Sequence, residues 1–237
     1  MKGKVVLVTG GSRGIGAAIA GAFAAAGARV AVNYRKSKKD AERVAASFGG
    51  VAIPGDVGRD AEKLVAAVVR KLGRLDILVN NAGTSDRDAW TDDLDAISDA
   101  MWDRVMETDL RGTFRCCRAA ARVMKKGKIL NITSIPALTG EREGLVYSIA
   151  KAGVLGMTKS LAMLLAPRIQ VNCLALGSIG TGWVEWLPPA LRESYAAAIP
   201  VGRFGRPSEV ADLALFLASN DWVTGQTYVL DGGESRV

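Results

Sequence analysis

The sequence predicts a single-domain α/β fold, a doubly wound parallel sheet of about seven strands with helices on both faces. Short β-branched runs alternate with segments of helix length, which is typical of a parallel sheet covered on both sides. A chain of 237 residues, 49% of them apolar, can build one large core but has little room for a second. No linker rich in Pro, Gly or Ser divides the chain, so residues 1–237 are predicted to form one domain.

Seven runs rich in β-forming residues predict the strands. They lie at residues 5–9, 29–33, 51–54, 77–80, 128–133, 170–174 and 227–230. The segments between them predict helices at residues 14–26, 38–48, 60–72, 96–125, 147–165 and 207–218. The last helix opens with Pro207, a residue favoured in a first helical turn. The longest irregular piece, residues 177–200, is predicted to form a substrate lid.

The chain contains no histidine. This excludes Ser-His-Asp and Cys-His mechanisms, as well as HExxH and Cys2His2 zinc sites. The side chain that ordinarily titrates near neutral pH is therefore missing. Any acid–base chemistry must come from Tyr, Lys, Asp, Glu or a perturbed Cys.

Three cysteines, Cys116, Cys117 and Cys173, form a poor disulfide framework because their number is odd and two are adjacent. This favours a reducing, cytoplasmic compartment. Arg13 and the polar residues before it interrupt the apolar N-terminal stretch, which argues against a signal peptide. No run approaches eighteen consecutive apolar residues, so the prediction is a soluble intracellular protein without a membrane span.

A glycine-rich loop follows the first predicted strand and leads into an Ala-rich helix. Its glycines permit a tight turn and let backbone N–H groups and the positive helix end approach a pyrophosphate. A plain strand-to-helix turn is the simpler interpretation, but the position after strand one favours a dinucleotide. The residues predicted to line this site are Gly10, Ser12, Arg13, Gly14, Ile15 and Gly16.

The end of the second strand indicates which dinucleotide binds. NAD-binding folds place a carboxylate there, on the ribose 2′-hydroxyl. This chain instead has Asn33, Tyr34, Arg35 and Lys36, with no acid. Arg35 together with Arg13 would suit a 2′-phosphate, because guanidinium groups bind phosphate in bidentate fashion. The sequence therefore predicts NADP(H) in preference to NAD(H), with ordinary exposed basic residues as the alternative.

Tyr147 and Lys151 stand four residues apart in a predicted helix, so the ammonium can lie beside the phenol and stabilise the phenolate. Ser134 lies at the carboxyl end of the fifth strand, where open α/β sheets bind ligands. The same spacing recurs at Tyr34 and Lys38, but that pair follows strand two, away from the reacting end of a cofactor.

Together these motifs resemble the short-chain dehydrogenase/reductase family along essentially the whole chain. The loop at residues 199–205 is most similar to that of β-ketoacyl acyl-carrier-protein reductases. The residues that carry the family resemblance are those of the glycine loop at 9–16, Asn80, Asn81, Ala82, Gly83, Ser134, Tyr147, Lys151, Gly225, Gln226, Asp231, Gly232 and Gly233.

The resemblance implies a Rossmann-type fold and a role for each matching residue. Tyr147 would donate a proton to the substrate carbonyl oxygen, and Ser134 would hydrogen-bond that oxygen. Lys151 would hold the nicotinamide ribose, and Asp56 would contact the adenine. The other cofactor contacts that the resemblance implies are Asn33, Val57, Asn81, Ala82, Gly83, Gly177, Ile179 and Thr181.

Two positions depart from the family pattern. Asp109 stands where the family usually has its fourth catalytic residue, an asparagine that holds a water of the proton relay. An aspartate could accept from that water but adds a charge near Lys151. Leu176 stands where a proline is usual before Gly177, which should loosen the turn after strand six.

A stripe of basic residues follows the acid-rich segment 84–109, whose net charge is −7 against +7 for the whole chain. It consists of Arg111, Arg115, Arg118 and Arg122, continued by Lys125 and Lys126. The stripe either pairs with that acid-rich segment on a solvated or subunit-facing surface, or docks an acidic acyl carrier protein. For the carrier, the resemblance suggests Lys125 and Arg168 near the site entrance.

The predicted function is NADPH-dependent reduction of a carbonyl, most specifically the 3-oxo group of a carrier-bound acyl chain in fatty acid synthesis. Alternatives are a dehydrogenase of sugars, small alcohols, quinones or steroids, or a non-catalytic NADP-binding sensor. The resemblance also implies a homotetramer built through the long helices before strand five and after Tyr147. Neither a metal site nor a nucleic-acid-binding motif is predicted.

Overall fold

A seven-stranded parallel sheet forms the centre of the computed structural model, which describes residues 1–84 and 89–235. The strand order is β3-β2-β1-β4-β5-β6-β7. The strands are β1 (Val5–Val8), β2 (Arg29–Tyr34), β3 (Val51–Pro54), β4 (Ile77–Asn80), β5 (Gly127–Ser134), β6 (Ile169–Leu176) and β7 (Thr227–Leu230). The predicted fold class and the number of strands are confirmed.

Helices cover both faces of the sheet because strand residues alternate between two apolar cores. Val6 and Val8 face one core, whereas Val5 and Leu7 face the other. The helices are α1 (Gly14–Ala25), α2 (Lys38–Ala46), α3 (Val57–Leu72), α4 (Asp99–Val105), α5 (Thr113–Val123), α6 (Pro136–Thr139), α7 (Leu145–Leu165), α8 (Pro189–Ala198) and α9 (Pro207–Ser219). The first core packs under α1, α2 and α9, and the second packs under α3, α5 and α7.

The helix predicted over residues 96–125 is present without a break from Asp99 to Val123, but it starts later than predicted and is not α-helical throughout. Ser98 caps α4 by accepting a hydrogen bond from the Met101 N–H, and a π-helical turn, Met106–Gly112, separates α4 from α5. The turn packs closely on the start of α3, since a Cβ at Gly112 would lie 2.8 Å from a Val57 methyl group. Such a turn is an uncommon local widening of a helix, and it was not predicted from the sequence.

The predicted lid, residues 177–200, is more regular than expected. It contains a 3-10 turn, Val184–Trp186, followed by α8. Pro189 occupies the first turn of α8, where proline starts a helix rather than preventing one. The base of the segment is fixed by a parallel bridge between Ile179 and Gly205, and the Trp183 indole donates to the Ile179 carbonyl at 2.8 Å.

Helix α7 is the one helix among the described residues that is long and apolar enough to cross a membrane. Core helices of soluble proteins pass the same test of length and mean hydropathy. Here α7 packs on β5 and β6 and carries Lys151, which is 5% exposed. The apolar side chains of α7 therefore serve to pack this helix against the sheet.

Candidate active site

The carboxyl ends of β1, β4, β5 and β6 meet along one edge of the sheet, where the strand order reverses between β1 and β4. Open α/β folds bind their ligands at this reversal. The predicted glycine loop, Ser134 and α7 all follow from these strand ends. The topology thus brings the two predicted halves of the site, the dinucleotide loop and the acid–base group, to the same edge.

The glycine loop is fastened to β2 through Asn33. The Gly10 N–H donates to the Asn33 side-chain oxygen at 3.2 Å, and the Gly11 N–H donates to the Asn33 carbonyl at 3.0 Å. The Asn33 amide nitrogen also donates to the Gly55 carbonyl at 2.9 Å. The buried Asn33 side chain therefore connects β2 to the loops after β1 and β3, so a polar contact between Asn33 and a cofactor would compete with these bonds.

The start of α1 fits the phosphates of a dinucleotide. Gly10 and Gly14 have φ values of +60° and +54°, a conformation that favours glycine. The Arg13 side chain makes no capping hydrogen bond at the helix start. First-turn N–H groups therefore remain available to an anion, and the positive end of the helix favours it. Thr181 lies opposite, where its methyl group would be 3.3 Å from a Cβ at Gly14.

Thr9 and Asn81 join the loops after β1 and β4. The Thr9 hydroxyl accepts from the N–H groups of Asn81 and Ala82 at 3.0 Å each, and the Asn81 amide nitrogen donates to the Thr9 carbonyl at 2.9 Å. Sequence reasoning noted Thr9 only as part of the glycine motif. Its hydroxyl, at the end of a buried strand, sets the spacing of the two loops.

Arg35 and Asp56, which were predicted to bind different parts of the adenosine, lie beside each other. An Arg35 guanidinium nitrogen is 3.7 Å from a carboxylate oxygen of Asp56. Asp56 also caps α3 by accepting from the Gly58 N–H at 2.9 Å, and Val57 behind it is buried. Arg35 remains half exposed, so its guanidinium can still reach a ligand at the end of β2.

Ser134 ends β5, and Tyr147 lies in the first turn of α7. The Ser134 hydroxyl donates to the Leu176 carbonyl at 3.2 Å, and both side chains are partly exposed. The Trp90 ring packs on the Tyr147 ring with centroids 5.0 Å apart. Sequence reasoning missed Trp90. The one sequence feature that accompanies this contact is Gly144. Its φ is +78°, and a Cβ at this position would lie 2.8 Å from the Trp90 indole.

Lys151 lies one helical turn after Tyr147, with its ammonium 5.4 Å from the centre of the Tyr147 ring. The ammonium forms a buried ion pair with Asp109, whose carboxylate oxygen is 3.0 Å away, and donates to the Ile132 carbonyl at 3.3 Å. Burial lowers the pKa of Lys151, but the interaction with the Asp109 carboxylate, and to a smaller extent that with Tyr147, outweighs burial and raises the pKa above its ordinary value. Lys151 is therefore an ammonium at neutral pH.

The cysteines are not available as nucleophiles. Burial raises the pKa of both Cys116 and Cys173 to about 12, and it raises the pKa of Cys117 as well. All three are neutral thiols at physiological pH, so thiolate chemistry is excluded.

The arrangement at the sheet edge can donate one proton from a phenol beside an ammonium and hydrogen-bond an oxygen through Ser134.

The predicted residues after β6 are held by the C-terminal segment. Gly177 is closely packed, since a Cβ there would lie 2.6 Å from the Asp231 Cβ. The Glu234 carboxylate accepts from both the N–H and the hydroxyl of Ser178 at 2.8 Å each. These contacts hold the turn that Leu176, in place of proline, was expected to loosen.

The first half of the basic stripe is paired with acidic residues. Glu107 binds both Arg111, at 2.6 Å, and Arg115, at 2.7 Å, while Arg118 binds Glu62 at 2.7 Å. Glu107 belongs to the acid-rich segment, so for Arg111 and Arg115 the ion-pairing interpretation is correct.

The two residues suggested for carrier docking, Lys125 of the stripe and Arg168 outside it, lie elsewhere than expected. Lys125 lies two residues before β5 and Arg168 lies directly before β6, so both are at the amino edge of the sheet, and the Arg168 guanidinium donates to the Ala121 and Met124 carbonyls. The two strands are eight residues long, which separates their ends by about 23 Å. The prediction that these residues lie near the site entrance is therefore wrong for a single subunit.

Comparisons with known proteins agree with this architecture. A family model described as enoyl-(acyl carrier protein) reductase matches residues 10–235. A 3-oxoacyl-(acyl-carrier-protein) reductase from Synechocystis sp. is 40% identical, with 97% of this chain and 96% of the relative covered. One from Thermotoga maritima is 41% identical, with 98% of each covered. A solved short-chain dehydrogenase/reductase double mutant from Serratia marcescens superimposes with a TM-score of 0.91 at 34% identity, covering 99% of this chain and 98% of that one.

Proposed function

Because the chain belongs to the short-chain dehydrogenase/reductase family, a family of nicotinamide-dependent oxidoreductases, we propose that it reduces the 3-oxo group of an acyl chain carried on an acyl carrier protein, using NADPH. The observation that carries the proposal is the buried ammonium of Lys151 beside Tyr147 at the sheet edge that also holds Ser134. The substrate class follows the two relatives of about 40% identity, whose names specify a 3-oxoacyl group on an acyl carrier protein.

Tyr147 is the proposed proton donor. A bound reduced nicotinamide supplies the hydride that reaches the carbonyl carbon. The Tyr147 hydroxyl then gives its proton to the carbonyl oxygen, while the Ser134 hydroxyl turns from the Leu176 carbonyl to hydrogen-bond the same oxygen. Negative charge passes to the phenol oxygen, where the nearby ammonium of Lys151 stabilises it, and water restores the proton.

Lys151 has a second proposed role in holding the nicotinamide ribose. An ammonium has three N–H groups, and the contacts described for Lys151 use one on Asp109 and one on Ile132. The third can donate to a ribose hydroxyl. Thr181 and the start of α1 face each other across the glycine loop and would hold the remainder of the cofactor.

NADPH is the proposed cofactor because β2 ends without a carboxylate and Arg35 follows it, half exposed. We expect wild-type protein reducing an acetoacetyl thioester to favour NADPH over NADH by at least about tenfold in kcat/KM, a factor worth about 1.4 kcal/mol. Arg35→Glu should reverse the preference, since a carboxylate repels a 2′-phosphate and accepts from a 2′-hydroxyl.

Initial rates at 340 nm with each cofactor measure this preference. Lys36→Glu makes the same charge change at the neighbouring exposed position and is the matched control, with most of the NADPH preference kept. A wild-type preference for NADH would contradict the proposed roles of Arg13 and Arg35.

A homotetramer is also proposed. Helices α5 and α7, through which the family resemblance implies assembly, expose apolar side chains in the single chain. Phe114 and Val123 on α5 are each 41% exposed, and Leu145 and Ile149 on α7 are 40% and 38% exposed. A carrier protein docked at Lys125 and Arg168 would then have to reach the active site of a different subunit.

A further inference from the structure

The strongest departure from the expected site is a carboxylate in direct contact with its lysine. Asp109 is 0% exposed, and one of its oxygens lies 3.0 Å from the Lys151 ammonium. Its other oxygen accepts from the Thr84 N–H at 2.8 Å. A buried carboxylate is stable only when it is paired and hydrogen-bonded, and Asp109 meets both conditions.

The surrounding backbone is shaped around this carboxylate. Asp109 lies within the π-helical turn, and its carbonyl accepts from the Thr113 hydroxyl at 2.8 Å. Gly83 passes so close that a Cβ there would lie 2.9 Å from the paired Asp109 oxygen and 3.5 Å from the Lys151 nitrogen. The loop after β4 and the turn before α5 together hold the charge in place.

The titratable groups around Lys151 come from three elements. Asp109 faces it from the π-helical turn, Tyr147 from its own helix, and Cys173 from β6. The Cys173 thiol is neutral because burial raises its pKa to about 12. Asp109 is therefore the one full negative charge among these groups, and it lies directly against the ammonium.

We infer that Asp109 is a positioning residue that fixes Lys151 and partly neutralises its charge, so that Tyr147 keeps its proton to higher pH than it would beside an unpaired lysine. An isolated ammonium would draw the proton off Tyr147 more strongly than an ammonium bound to a carboxylate. Reduction needs Tyr147 protonated, whereas oxidation of an alcohol needs it ionised. The ion pair thus extends the pH range of reduction upward, an inference that rests on the proposed role of Tyr147.

Ionisation of Tyr147 can be measured without substrate or cofactor. Phenolate absorbance near 295 nm is titrated in the wild type and in Asp109→Asn, each with and without Tyr147→Phe, so that the difference isolates Tyr147 from the other three tyrosines. We expect Asp109→Asn to lower the pH of half-ionisation of Tyr147 by about one unit or more, because the Lys151 ammonium, 5.4 Å from the ring centre, is then no longer neutralised, and an opposite charge within about 4–6 Å shifts a pKa by about 1–3 units. Reduction by this variant should then be lost at correspondingly lower pH.

Two further variants keep the test decisive if Asp109→Asn folds poorly. Asp109→Ser also removes the charge, so it should lower the pH of half-ionisation of Tyr147. Asp109→Glu keeps the charge, so it should lower that pH less than Asp109→Asn or Asp109→Ser does. A midpoint that does not move in any folded neutral variant would overturn the inference, whatever the activity. Survival of activity in Tyr147→Phe would instead overturn the proposed function, so the two failures are distinguishable.

Discussion

Tyr147→Phe is expected to lower turnover by at least about a thousandfold, within the range that a lost general acid produces. The substitution removes the phenolic proton and leaves the ring that packs on Trp90 at 5.0 Å. Folding and cofactor binding should therefore be retained. Steady-state rates with a 3-oxoacyl thioester measure the loss, and nicotinamide fluorescence measures the binding that remains.

The chain offers a matched control in Tyr34→Phe. Tyr34 has the same spacing to a lysine, but it lies at the end of β2 and is 9% exposed within the apolar core. A phenylalanine there keeps the packing, and activity should stay within a few-fold of wild type. If Tyr147→Phe retained a tenth of wild-type turnover, Tyr147 would not be the proton donor.

Lys151→Met is expected to remove activity and also to destabilise the fold by about 3–5 kcal/mol. The methionine fills a similar volume but leaves Asp109 fully buried without a counter-charge, and an unpaired buried charge has a cost of this size. Denaturant unfolding followed by circular dichroism gives the free energy of unfolding, and initial rates give the activity.

The double variant Lys151→Met/Asp109→Leu separates the two effects. It replaces both charges by apolar groups of similar volume, so most of the lost stability should return while activity stays absent. If Lys151→Met lowered the free energy of unfolding by less than about 1 kcal/mol, the ion pair would have to be solvated rather than buried.

The sheet could be predicted because its strands are short runs of β-branched residues that lie between two cores. The same argument placed Ser134 at the end of β5 and brought it to the edge that carries the glycine loop. Tyr147 and Lys151 were assigned to one helix face from their spacing of four, and they lie one turn apart on α7. Positions fixed by strand ends and helical repeat are therefore accessible from sequence.

Contacts that depend on irregular backbone were not accessible. The family resemblance placed the Asp109 charge near Lys151, but the direct ion pair depends on a π-helical turn that the sequence represents only as part of a longer helical pattern. Trp90 reaches Tyr147 from a loop distant in sequence, through a contact that spacing does not encode. The placement of Lys125 and Arg168 at the amino edge was accessible, by contrast, because it follows from the predicted direction of the strands that come after them; the suggestion that they lie near the site entrance came from the family resemblance instead.

The central claim is hydride transfer to a ketone at C3 of an acyl thioester. NADPH with both C4 hydrogens of the nicotinamide replaced by deuterium should be incubated with a 3-oxoacyl thioester, its 2-enoyl counterpart, a sugar, a quinone and a steroid, with products analysed by mass spectrometry and NMR. The proposed function predicts a 3-hydroxyacyl product with one deuterium bound to C3, and no comparable turnover of the others. Reduction of the enoyl thioester to a saturated chain, or deuterium transfer only to another substrate class, would contradict it.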